Sequence, residues 1–151
     1  ETFSSTLNKF DNEHGFANSR ARLRMTTLYQ VAAANKGIVV GTGNKVEDFG
    51  VGFYTKYGDG GVDISPIADC NKTEVWELGK ELGILKEIID APPTDGLWDD
   101  GRTDEGQLGF KYEDLEDAMK NTNSPHRQEY EKIRKKNLHK MEPIPVCKIP
   151  S

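Results

Sequence analysis

Eight of the chain's 15 glycines fall between residues 37 and 61. Glycine has no Cβ, so backbone there can take left-handed turns or approach another group closely. The stretch also has a direction. Ile38-Val39-Val40 is a β-branched run that ends on Gly41-Thr42-Gly43-Asn44-Lys45. A helix, a short apolar run and then glycine is the rhythm of a parallel αβ sheet. Ligands of such sheets bind beyond the carboxyl ends of the strands, which is where residues 41–45 would lie. The second glycine cluster, Gly58-Asp59-Gly60-Gly61, follows Phe53-Tyr54-Thr55-Lys56-Tyr57 and precedes Asp63. Stacking faces, a cation and carboxylates thus share one short span.

Charge points to the same segment. The 151 residues carry 20 Lys+Arg against 25 Asp+Glu, a net of −5. Residues 18–72 nevertheless hold seven basic and five acidic side chains. A locally basic, glycine-rich segment in an acidic chain is where an anionic ligand is expected. The chain as a whole lacks the basic footprint of a nucleic-acid binder. No apolar run approaches the roughly 20 residues that span a bilayer. Cys70 and Cys147 are too few for a disulfide framework or a zinc site, so two reduced thiols in a cytoplasmic chain are expected.

Residues 1–17 read as a loop or leader ahead of a unit over 18–151. Ala21, Met25, Leu28 and Ala32 recur at helical spacing and predict a helix over 18–36, ended by Gly37. That helix carries Arg20, Arg22 and Arg24. Asn71-Lys72-Thr73-Glu74 has the capping-box pattern, so a second helix opens at Lys72. Val75, Leu78, Gly79 and Leu82 form its expected buried face, and Gly83 its turn. A lysine in the first helical turn opposes the macrodipole. Its placement points to an anionic ligand, for which a helix N-terminus is suited. A short helix over 85–90 stops at Pro92-Pro93, and the acidic, aperiodic stretch 94–109 reads as a surface loop or lid. Helices follow over 112–119, with Tyr112, Leu115 and Met119 inward, and from Ser124-Pro125 to about Asn137. The proline-containing tail from Leu138 reads as extended, with His139-Lys140 a solvated pair.

Taken together, these segments resemble one family. The residues that carry the likeness are Asn18-x-x-Ala21-Arg22-x-Arg24-Met25, Gly41-Thr42-Gly43-Asn44-Lys45-x-Glu47 and Phe53-Tyr54-Thr55-Lys56-Tyr57-Gly58-Asp59-Gly60-Gly61-Val62-Asp63. Lys72-Thr73, Ala91-Pro92-Pro93-Thr94, Asp104-Glu105-x-x-Leu108-Gly109 and His139-Lys140 complete it. In this order and spacing they resemble the NAD synthetases, ATP pyrophosphatases that amidate deamido-NAD.

The resemblance implies a doubly wound, parallel-sheet α/β domain of the Rossmann-like, adenine nucleotide α-hydrolase type. It implies ATP contacts at Thr42, Lys72 and Thr94, with Lys72 the catalytic cation. It implies deamido-NAD contacts at Arg22, Lys56, Asp63, His139 and Lys140, and a Mg²⁺ ligand at Glu47. The chain has one more residue between Glu47 and Lys56 than the family pattern, so Asp48 is the alternative ligand. Glu47 is preferred because it keeps its spacing from Gly41-Thr42. The family's phosphate loop, Ser-Gly-Gly-x-Asp-Ser, does not occur in this sequence. The chain is therefore expected to be the C-terminal part of a synthetase domain and inactive alone. The nitrogen would come from ammonia, or from glutamine through a glutaminase domain, and the enzyme would be a homodimer. The competing expectation is a non-catalytic nucleotide-binding or interaction fragment.

Overall fold

A computed structural model of the chain describes residues 5–98 and 100–149. After a 3₁₀ turn, Asn8–Phe10, the first helix α1 runs over Glu13–Ala34. It begins ahead of residue 18, because Asn12 caps it: its side chain accepts a hydrogen bond from the Gly15 N–H at 2.6 Å. The segment read as a loop or leader therefore contributes the first turn of α1. Ala17 and Ala21 are buried, and the Ala21 and Met25 side chains lie against Gly58 and Gly61. Leu28, expected inward, is exposed.

The next element, Lys45–Val51, is a π-helix. The wider turn of a π-helix is how a helical segment takes in one additional residue, and this is where the sequence carries one beyond the family pattern. Asn44 caps it, accepting from Val46 N at 3.0 Å and Glu47 N at 3.1 Å. Gly52 ends it in a left-handed conformation, φ +67°, and a Cβ there would come within 2.7 Å of Asn137 Cβ. Glycine at 52 thus serves both the turn and the close packing of the last helix.

Helix α2, Lys72–Glu81, begins at Lys72 as the capping-box pattern requires, with Asn71 N donating to Glu74 Oε2 at 2.6 Å. Its apolar face differs from expectation. Leu78 and Leu82 are exposed, whereas Trp76 sits edge-on to Tyr112 and packs on the core. Helices α3, Lys86–Ile89, and α4, Asp104–Leu108, follow, the latter inside the stretch read as irregular. Helix α5 is Tyr112–Lys120 and α6 is Arg127–Met141. Leu138 to Met141 are helical, not extended. The helix stops at Glu142, whose extended backbone (φ −83°, ψ 153°) is what a residue before proline adopts.

The core sits where the π-helix, α5 and α6 meet. Val46, Val51, Tyr112, Leu115, Ala118 and Tyr130 form it. Arg134 and Asn137 of α6 donate to the Gly50 and Val51 carbonyls, each at 2.9 Å, and so satisfy the end of the π-helix. Of the expected parallel sheet, one isolated parallel bridge, Val40 to Ile64, is present among the described residues. Gly41 N donates to Ile64 O at 2.7 Å and Asp63 N to Val39 O at 2.9 Å. Val40 and Ile64 are both exposed. Parallel strands persist where neighbours cover them, and these two residues have no such cover.

Candidate active site

The bridge, the π-helix, the start of α2 and the start of α4 surround a cavity of about 510 Å³. Thr42, Glu47, Asp48, Lys72, Thr94 and Asp104 are among its lining residues. Thr42 follows the Val40 bridge residue, at the carboxyl end of the β-branched run. Thr94 Oγ1 donates to Arg102 O at 3.2 Å. The three residues matched to ATP contacts and the residue matched to a metal ligand therefore share one cavity.

Glu47 and Lys72 are the centre of its polar wall. Lys72 Nζ lies 3.1 Å from Glu47 Oε1, with both side chains mostly buried. The Tyr112 hydroxyl donates to the same Glu47 oxygen. The Lys72 ammonium also lies 5.0 Å from the Tyr112 ring centroid. The anion that balances Lys72 against the helix dipole is thus Glu47 of this chain, and the dipole argument alone does not require a ligand.

Two of the carboxylic acids that line the cavity, and the Tyr112 hydroxyl behind it, are shifted strongly by their surroundings. Asp48 is pushed up to about 7, by burial first and then by Glu47 and Asp59. Its carboxylate presses on Gly43, where a Cβ would have no room. Asp104 is pushed up to about 6, again by burial first and then by Glu47 and Asp95. The Tyr112 hydroxyl is held well above its ordinary value by burial and by Glu47. Burial disfavours the charged form of each, and neighbouring carboxylates add to it.

The five residues matched to deamido-NAD do not line this cavity. Arg22, Lys56 and His139 form a run of hydrogen bonds, while Lys140 and Asp63 are held by separate partners. Arg22 Nε and Nη2 both donate to Lys56 O at 3.2 Å. Lys56 Nζ donates to His139 O at 2.6 Å. Lys140 Nζ donates to Gly52 O and to Tyr54 O, each at 2.8 Å. It is not the solvated residue expected from the sequence, and burial lowers its pKa. Asp63 accepts from Val39 N at 2.8 Å and from the Tyr29 hydroxyl at 3.3 Å. In this chain these groups fasten α6 and the bridge to the glycine-rich loop.

Tyr112 and Asp104 were not singled out as site residues from the sequence. Tyr112 carries the periodicity of a core residue, and its hydroxyl is invisible to that pattern. Asp104 opens a conspicuous Asp-Glu pair within the family likeness, which was the available signal. Cys70 and Cys147 are both free. Among the described residues no helix is long and apolar enough to cross a membrane.

Comparisons with known proteins bear on the chain as a whole. The family model for NAD synthase matches residues 1–149. The NH(3)-dependent NAD(+) synthetase of Carboxydothermus hydrogenoformans is 52% identical over 100 residues, covering 66% of this chain and 40% of that protein. That of Alkaliphilus oremlandii is 44% identical over 135 residues, covering 88% and 53%. The chain spans about half the length of the curated relatives it matches. Among solved structures, the NMN synthetase from Francisella tularensis superposes with a TM-score of 0.89 at 33% identity, over 98% of this chain and 62% of that one. The NH3-dependent NAD synthetase from Campylobacter jejuni, in complex with the nitrate ion, gives 0.67 at 25%, over 96% and 63%. With a family model matched across nearly its whole length, the chain belongs to the NAD synthase family.

Proposed function

We propose that this chain is part of an ATP-dependent ligase that amidates deamido-NAD to NAD through an adenylated intermediate. The observation that carries the reading is the single cavity in which Thr42, Glu47, Lys72 and Thr94 meet. The nicotinate carboxylate is a poor electrophile, so its oxygen first attacks the α-phosphate of ATP and pyrophosphate leaves. Ammonia then adds at the activated carbonyl carbon and AMP departs. Thr42 and Thr94 contact ATP, and Lys72 meets the phosphate oxygens, where preorganised cations act on developing charge. Ammonia as the nitrogen source accords with the names of the relatives.

Glu47 would hold Mg²⁺, whose chemistry here is neutralisation of charge on phosphate oxygens. The donor set suits it: a carboxylate and a buried carboxylate oxygen without a partner, that of Asp104, belong to one cavity wall. Arg22, Lys56, Asp63, His139 and Lys140 serve deamido-NAD by fixing the loop and helix end that receive it. The phosphate loop belongs to a longer protein, together with the strands that complete a doubly wound parallel sheet on the Val40–Ile64 bridge. The exposed Leu23, Leu28 and Val31 of α1 support a covered face, as a homodimer would supply. Free cysteines accord with a cytoplasmic location.

The test is turnover with deamido-NAD, ATP, Mg²⁺ and ammonia, on the chain alone and on the complete protein. Turnover by the complete protein and none by the chain is expected. A complete protein that binds ATP without turnover would make it a non-catalytic nucleotide-binding module. A second reading is that the acid amidated is nicotinate mononucleotide. Its support is the higher TM-score and identity to a structure described as an NMN synthetase. Comparing kcat/KM for the mononucleotide and dinucleotide acids decides between the two.

A further inference from the structure

Asp104 holds a polar atom that the geometry described above leaves unmatched. The residue is 8% exposed, and its Oδ1 has no hydrogen-bond partner among the described residues. The side chain belongs to the cavity wall. The backbone fixes it there: Asp104 N donates to Pro93 O at 3.0 Å, and Thr103 Oγ1 caps the turn by accepting from Gly106 N at 3.1 Å.

The other oxygen, Oδ2, is 3.5 Å from the Tyr112 hydroxyl. That hydroxyl also donates to Glu47 Oε1. A phenol has one proton, so it satisfies one of the two carboxylates at a time. Its shorter contact is to Glu47. Of the two cations that line the cavity, Arg24 donates to the Asp95 and Gly96 carbonyls and Lys72 is ion-paired with Glu47 Oε1. Asp104 is left as a buried carboxylate in the cavity wall with no donor on Oδ1, an arrangement unfavourable for its charged form unless a positive group meets it.

Hard oxygen donors select hard cations. Magnesium-class ions bind through one or two carboxylates, with waters and substrate phosphates filling the remaining positions. Among the described residues no group of three or more His, Cys, Asp or Glu side chains forms a complete metal cage. Two carboxylates in a nucleotide-sized cavity suit that kind of open site. We propose that Asp104, through Oδ1, joins Glu47 as a second protein ligand for a divalent cation in this cavity. The proposal rests on Glu47 as a cation ligand and adds a residue to which the resemblance gave no role.

The experiment is Mn²⁺ titration of the purified chain, free of nucleotide, read by loss of the free-ion electron paramagnetic resonance signal. Thermal melting with and without Mn²⁺ is read in parallel, and circular dichroism confirms the fold of each variant. The parent should bind, Asp104→Asn should weaken binding at least tenfold, and Glu47→Gln should do the same. The surface variant Asp69→Asn, whose carboxylate pairs with Lys45, should bind as the parent does. Mn²⁺ should raise the melting temperature of the parent and not of Asp104→Asn. If Glu47→Gln loses binding while Asp104→Asn keeps parental affinity, the role of Glu47 stands and that of Asp104 is wrong. A folded parent that does not bind Mn²⁺, or equal weakening by Asp69→Asn, overturns the proposal as well.

Discussion

Lys72 Nζ sits 3.1 Å from Glu47 Oε1, across the gap between the start of α2 and the π-helix. The two side chains are only 18% and 15% exposed, so neither charge is well served by water if the other is removed. Lys72→Met should therefore destabilise the chain by about 2 kcal/mol, the cost of a mostly buried carboxylate left short of a partner. The double variant Lys72→Met with Glu47→Gln should recover part of that loss. Urea unfolding of the four proteins measures the coupling. Strict additivity would mean that the pair contributes nothing to stability.

Asp48 gives the stability of the chain a pH dependence opposite to that of a salt-bridged acid. Its folded-state pKa is raised from 3.8 to about 7. The folded chain therefore holds a proton that the unfolded chain has released over this window. Stability is fully present below the unfolded value and is lost as pH rises through the folded value. Asp48→Asn, which cannot ionise, should match the parent at pH 4 and melt higher than the parent at pH 7, in a chelator-containing buffer. Equal melting temperatures at both pH values would contradict a buried, proton-holding Asp48.

The two leucines Leu115 and Leu82 separate the real core from the face suggested by periodicity. Leu115 is fully buried in the cluster with Val46, Val51 and Tyr112, whereas Leu82 is 76% exposed. Leu115→Ala should cost about 2–5 kcal/mol. Leu82→Ala should stay within about 0.5 kcal/mol. Chemical denaturation of the chain reads both. A large cost at Leu82 would place α2's apolar stripe against protein rather than solvent.

The elements legible in the sequence were those with local chemistry of their own. The Asn71–Glu74 capping box placed the start of α2 at Lys72, and the Tyr112-Leu115-Met119 spacing placed α5. The start of α1 was missed because Asn12 caps a turn, Glu13-His14-Gly15-Phe16, with no apolar stripe to announce it. The end of α6 was missed because Pro143 and Pro145 made the whole tail look extended, although a proline restrains its own φ and the residue before it, and Leu138 to Met141 lie further upstream. Of the sheet, one parallel bridge is present among the described residues: a β-branched run predicts a strand, but its partners are long-range and not specified by its own segment. At the site, Thr42, Glu47, Lys72 and Thr94 were singled out through their motifs, while Asp104 and the hydroxyl of Tyr112 acquire their meaning from Glu47, far along the chain.

Lys72 and Asp63 should separate chemistry from substrate placement in the complete enzyme. Lys72 lines the cavity and points its charge at Glu47 in the chain as it stands. In the proposed adenylation, the charge that Lys72 would meet grows as pyrophosphate leaves, so the contact would be stronger in the transition state than in the ground state. Lys72→Ala should lower adenylate formation by roughly a hundredfold, the usual scale for one such electrostatic contact. Asp63 instead holds the backbone of Val39 and the hydroxyl of Tyr29, outside the cavity. Asp63→Ala should weaken deamido-NAD binding through the loop it fixes and leave ATP binding nearly intact. Isotope exchange between pyrophosphate and ATP reports the first variant, and equilibrium binding of each substrate the second. Parental exchange by Lys72→Ala would remove Lys72 from the phosphates and leave it as the structural partner of Glu47.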